Sequence, residues 1–186
     1  MNWRDHYRLK GQHAFLGASN YSWLKYDEEK LRSAYINYLA SSRGTLLHAF
    51  AAQCIELRQK LPRSKKTLNA YVNDCIGFGM KPEQILYYSE NCFGTADAIG
   101  FDGKTLRIFD LKTGLVTPAK FDQLLIYDAL FCLEYDVKPQ DISFENRIYQ
   151  FDDVQIITPE SEQIATVCNK IITSDKIIQK LKEEAA

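Results

Sequence analysis

The chain has 186 residues, 46% of them apolar and 25% charged, with a formal net charge of −1. That length supports one domain with its own hydrophobic core. The near-neutral balance argues against a uniformly basic nucleic-acid coat, but not against a local basic groove whose charge is cancelled by acids elsewhere.

Five scattered cysteines, Cys54, Cys75, Cys92, Cys132 and Cys168, form no CxxC pair and predict free, mostly buried thiols in a reducing compartment. The opening Met1-Asn2-Trp3-Arg4-Asp5 lacks the apolar core of a signal peptide. The longest apolar run, Leu124 to Leu133, is broken by Asp128 and is too short to span a bilayer. The expectation is a cytoplasmic protein with no membrane partner.

Residues 1–18 carry no clear pattern. Ser19 is placed to cap a short helical turn over Asn20–Lys25, and Asp27 to cap a helix from about Glu28 to Ala40. Gly44 is expected to interrupt, Thr45 to recap, and a further helix to follow to about Gln59, with Leu47, Phe50, Cys54 and Leu57 as its apolar stripe. Arg58, Lys60, Arg63, Lys65 and Lys66 surround Pro62 in a basic loop, commonly just solvated but also suited to phosphate contact. Leu68 to Gly77 reads as helix, Lys81-Pro82-Glu83 as a turn, and Gln84 to Tyr88 as a strand.

Cys92 to Gly114 then reads as two strands joined at Gly103, a residue suited to a positive φ. Pro118 is expected to start a helix running to about Tyr135. Ile142 to Phe151 and Val154 to Ile157 alternate as strands around an Asp152-Asp153 turn, and Pro159 leads into a last helix. The order predicts an α/β or α+β layered fold in a single domain over 1–186. Its parts are an N-terminal helical segment (1–43), a core (44–158) and a C-terminal helix (159–186).

The chemistry centres on the second and third strands. Asp97 interrupts an apolar strand, while Asp110 and Lys112, two apart, point to one face of the next. Buried ions need partners, and a hard cation such as Mg²⁺, with phosphate and water, supplies them. A single carboxylate–x–lysine pair is weak, because exposed strand ends often carry one; the second acid across a hairpin strengthens it. His48 adjoins an apolar helical stripe. Such a histidine is usually structural, but its imidazole suits Mn²⁺ or the positioning of water. Glu56, two turns on, is a weaker metal candidate. Gln123 and Tyr127 share a helix face at i, i+4.

Together Gly44-x-x-x-His48, Gly94-x-x-Asp97, Asp110-x-Lys112-Thr113-Gly114 and Gln123-x-x-x-Tyr127 resemble the RecB-type branch of the PD-(D/E)XK nuclease superfamily, which includes phage exonucleases. Leu16 to Leu24 resembles the serine-containing helical opening of that branch. The proline of the family name is replaced by Ala96, and the clustered cysteines of iron–sulfur relatives are absent, so no iron–sulfur cluster is expected.

The resemblance implies a restriction-endonuclease-like core, a mixed central β-sheet flanked by helices. It also implies one or two Mg²⁺ or Mn²⁺ ions held by His48, Asp97, Asp110 and the Leu111 carbonyl. Lys112 would orient or help deprotonate the attacking water and stabilise transition-state charge, with Gln123 and Tyr127 positioning Lys112 and the phosphate. Ser19, Arg32, Arg43, Arg63, Lys65 and Lys66 are weaker candidates for gripping DNA.

The expected activity is that of a DNA exonuclease in phage-type recombination or DNA processing. DNA is the expected partner, and the resemblance allows a homo-oligomer and a recombination partner such as a single-strand annealing protein. The rivals are an endonuclease or nickase on the same fold, and a catalytically silent DNA-binding or protein-interaction module.

Overall fold

A computed structural model of the chain describes residues 8, 14–18, 21–114 and 120–185. The chain divides into two compact units, Met1–Arg43 and Gly44–Ala186.

In the first unit a 3₁₀ turn spans Tyr21–Lys25 and helix α1 (Glu28–Glu56) begins. The Asp27 carboxylate accepts the Lys30 N–H at 2.8 Å, which satisfies one of the free donors of the first turn. Phe15, Tyr35 and Tyr38 pack ring on ring in this unit. Ser19 and Pro118 lie outside the described residues.

Helix α1 does not stop at Gly44, contrary to the break expected there. A lone glycine weakens a helix interior by only about 1 kcal/mol, less than tertiary packing of the following turns returns. What Gly44 provides is room: a Cβ there would lie 2.8 Å from Thr113 Oγ1.

The second unit is built on a mixed five-stranded sheet of β1 (Lys81–Ser89), β2 (Cys92–Phe101), β3 (Thr105–Leu111), β4 (Ser143–Gln150) and β5 (Asp153–Ile157), in that spatial order. All neighbours are antiparallel except β3 and β4. A parallel pair needs a crossover, and helix α3 (Asp122–Glu134) provides it. Helix α2 (Thr67–Phe78) precedes the sheet and α4 (Ser161–Ala185) follows it.

Lys81-Pro82-Glu83, expected as a turn, is the first part of β1. Proline is tolerated there because β1 is an edge strand and its start. The β2–β3 connection turns at Gly103, with φ at 91°.

Period-two alternation divides the core into two faces. Leu106, Ile108, Phe144 and Ile148 pack with Leu124, Leu130 and Ile164 from α3 and α4. Phe109, Leu111 and Tyr149 pack on the other side with Ala51, Cys54 and Ile55 of α1 and Tyr71, Val72 and Cys75 of α2. Helix α2 lacks a side-chain cap of its own. Instead the Asp152 carboxylate, from the turn between β4 and β5, accepts from the Thr67 N–H at 2.8 Å and its hydroxyl at 3.1 Å. All five cysteines are free, four of them buried. Among the described residues no helix is long and apolar enough to cross a membrane.

Candidate metal centre and lysine relay

The pairing of β2 with β3 matches Ala98 to Phe109 and Ile99 to Ile108. Continuing that register sets Asp97 opposite Asp110, just where the ladder ends. The pleat also breaks there. Ala96 packs in the α3-side core and Ala98 in the α2-side core, so the alternation slips across Asp97. On β1 the pairing skips Glu83, whose φ is 48°. A non-glycine residue in the left-handed region is uncommon and destabilising by about 1–3 kcal/mol, and such strain gathers at functional sites.

The break re-aims the acids. Asp97 Oδ2 accepts the Leu111 N–H at 2.9 Å, and Oδ1 lies 3.4 Å from His48 Nδ1 of α1. That contact with Asp97 pushes the His48 pKa up, against the opposing effect of burial. Glu83 completes the group: His48, Glu83 and Asp97 each bring one ligand atom, and these atoms lie within 4.8 Å of one another. Partial burial first, then the Asp97 charge, push the Glu83 carboxyl up, and His48 only partly offsets them.

Asp110 is 3% exposed. Its Oδ1 accepts from Lys112 Nζ at 2.9 Å, while Oδ2 is buried with no hydrogen-bond partner. Burial first, then Asp97, raises its pKa, and Lys112 pulls the other way. An orphaned buried carboxylate oxygen is unfavourable by about 1–3 kcal/mol or more. Clustered oxygen and imidazole donors with such an orphan fit a hard divalent ion, Mg²⁺ or Mn²⁺.

Lys112 is fixed from its other side by a directed chain. Its Nζ donates to Gln123 Oε1 at 2.9 Å, Gln123 Nε2 donates to Tyr127 Oη at 3.0 Å, and Tyr127 Oη donates to the Thr95 carbonyl at 2.6 Å. Because the tyrosine proton goes to Thr95, Gln123 must turn its NH₂ to Tyr127 and its carbonyl to Lys112. Strand β2 therefore sets the amide that aims the ammonium. The Tyr127 ring is half of this device. It lies over Gly94, where a Cβ would stand 2.9 Å from Tyr127 Cε1.

Gly94→Ala is accordingly expected to lower stability by about 1–3 kcal/mol through overpacking. It should cost clearly less in a Tyr127→Ala background, where the colliding ring is gone. Urea denaturation of the four proteins checks this, and equal losses in both backgrounds would refute the contact.

The remaining predicted residues stand elsewhere. Glu56 is the exposed last residue of α1, two turns beyond His48, and is not among the clustered ligand atoms. Arg32 and Arg43 belong to the first unit, where Arg32 pairs with Glu28 at 2.7 Å on the helix surface. Arg63, Lys65 and Lys66 are exposed between α1 and α2, and among the described residues no hydrogen bond or ion pair joins them to the site. Glu83 is the residue that sequence reading missed. Its signal was present, an acid just ahead of an apolar strand run, but Lys-Pro-Glu reads as a turn unless β1 is known to be an edge.

The arrangement can hold a cation between carboxylates and an imidazole, beside an ammonium of fixed direction. Comparison with known proteins adds no assignment to this geometry: no family model, curated protein or solved structure matches the chain.

Proposed function

We propose that the chain is a metal-dependent DNA nuclease with a restriction-endonuclease-like core, hydrolysing phosphodiester bonds as an exonuclease. The observation that carries the reading is Asp97 opposite Asp110 at the end of the β2–β3 ladder, with Lys112 held between Asp110 and Gln123. The order of three antiparallel strands, a crossover helix and a parallel fourth strand is compatible with it.

His48, Glu83, Asp97 and Asp110 would hold one or two Mg²⁺ or Mn²⁺ ions, with the Leu111 carbonyl beside them. Such an ion supplies Lewis-acid stabilisation of phosphate charge and lowers the pKa of water. The protein's own groups do the rest. Lys112 presents an ammonium to the developing negative charge and orients the nucleophilic water. Gln123 and Tyr127 keep that ammonium on line, so little reorganisation remains when phosphate arrives. Asp97, tied to the Leu111 N–H, keeps its second oxygen for His48 and a cation.

The test is incubation of the purified chain with linear and covalently closed circular DNA, with Mg²⁺, Mn²⁺ or EDTA. Metal-dependent loss of the linear form alone is expected. Nicking or opening of the circle would make it an endonuclease. No product from either substrate at high protein concentration would leave the silent binding module.

A further inference from the structure

Beyond the break at Glu83 and Asp97, the β1–β2 ribbon runs on towards Ser89 and Cys92 with only one face covered. Leu86 and Ala96 pack into the α3-side core. On the opposite face Ile85 stands across from Thr95 and Tyr87 across from Phe93, in register. This face is bare: Ile85 is 56% exposed, Tyr87 42% and Phe93 61%. The Tyr87 and Phe93 rings stack with centroids 6.4 Å apart and planes 27° apart. Paired aromatic rings with an isoleucine, open to solvent on a strand pair, are an interaction surface rather than scattered apolar residues.

We infer that Tyr87 and Phe93 form a stacking platform for unpaired bases of the strand whose phosphate occupies the metal centre. This rests on the nuclease reading above. Three observations favour that occupant. The row is continuous with the site: Thr95 is two residues from Asp97, and its carbonyl anchors Tyr127. Phe93 lies four positions along the strand from Asp97, about 13 Å, a reach of a few nucleotides from a phosphate held at the metal centre. Finally, Tyr87 Oη donates to the Glu90 carboxylate at 3.1 Å. A carboxylate beside the rings disfavours phosphate there and leaves base faces as the matching chemistry. Stacking on aromatic side chains is sequence-tolerant, because every base presents a π-face.

The experiment is fluorescence anisotropy of a labelled twelve-residue oligothymidylate with the full chain in EDTA, where no turnover occurs. Tyr87→Ala and Phe93→Ala are each expected to weaken binding about tenfold, and the pair more. Phe93→Leu, apolar but not aromatic, should behave like Phe93→Ala. Phe93→Trp should bind as the parent does, with the new indole fluorescence quenched as oligonucleotide saturates it. Both side chains are exposed, so folding should be unaffected and thermal melts check it.

If the parent cleaves DNA but the double variant binds the oligonucleotide within twofold of the parent, the platform is refuted while the nuclease reading stands. If the double variant turns a dimer into a monomer by light scattering with unchanged oligonucleotide affinity, the face is a self-association surface and the platform is likewise refuted. If the parent neither binds nor cleaves, both readings fall together.

Discussion

Lys112→Ala is expected to reduce Mg²⁺-dependent DNA hydrolysis by about 10²- to 10⁴-fold, the range for losing a positioned electrostatic or proton-transfer group. Asp110→Asn should do at least as much. The two changes differ in their expected effect on stability, and the difference makes the test informative. Removing Lys112 strips the partner from Asp110 Oδ1 and leaves a buried carboxylate whose other oxygen is already orphaned. Lys112→Ala should therefore unfold at lower urea than the parent.

Asp110→Asn removes the charge that burial and Asp97 already penalise and keeps the side chain's shape. It should melt no lower than the parent while losing cleavage, the pattern of a group retained for chemistry at the expense of stability. Initial rates on linear DNA and urea midpoints measure both. Undiminished cleavage by Lys112→Ala would remove the lysine from the mechanism. A marked loss of stability in Asp110→Asn would mean that its carboxylate is structural.

The second large effect lies in the core between α3 and β4. Asp128 and Asn146 are both fully buried there. Asn146 Nδ2 donates to Asp128 Oδ2 at 2.6 Å, while Asp128 Oδ1 and Asn146 Oδ1 have no partner. Burial pushes the Asp128 carboxyl up to about 8, against the pull of Asn146. Protonated at Oδ1, Asp128 can donate to the unpartnered Asn146 Oδ1 while Oδ2 still accepts from Asn146 Nδ2, so the acid and amide pair reciprocally.

A folded-state pKa raised above the unfolded value means that the folded form holds its proton where the unfolded form has lost it. The Asp128 contribution to stability should be greatest below about pH 4, fall by about 1.4 kcal/mol per pH unit towards pH 8, and level off above that. Asp128→Asn presents the same donor and acceptor pair without the titration. Its stability advantage over the parent should therefore grow by about 1.4 kcal/mol per unit between pH 5 and pH 8. Urea denaturation of both proteins across that range reads the slope. A constant difference would show that Asp128 is ionised in the folded state, with a counter-charge or water at Oδ1. The neighbouring Cys132 thiol is itself pushed up to about 12, mainly by burial, so it stays neutral across the window and does not contribute to the slope.

Much of the fold was legible in the residues because the signals were local. Alternation with Gly103 marked the β2–β3 hairpin, Asp27 marked the start of α1, and the alternating run after Ile142 marked β4. Gly44 and Lys81-Pro82-Glu83 misled for one reason. A glycine reads as a break and a Lys-Pro-Glu as a turn when only chain neighbours are considered. Each is explained by a distant partner, Thr113 against Gly44 and the open edge of the sheet beside β1.

Residue identity and local spacing were enough to show which chemical groups are available. Two acids lie on adjacent strands, a lysine lies two residues after the second, a histidine sits on a helix, and a glutamine and tyrosine share a helix face. Local spacing also placed Asp110 and Lys112 together, because strand periodicity is a local property. How these groups meet depends on long-range strand pairing and helix packing. The break in the pleat at Glu83 and Asp97 depends on pairing between two strands, so no periodicity in either one reveals it. That break brings Glu83 into the cluster and turns Asp97 towards His48. The run from Lys112 through Gln123 and Tyr127 to Thr95 likewise exists only because α3 crosses back over β2, where Gly94 leaves room for the tyrosine ring.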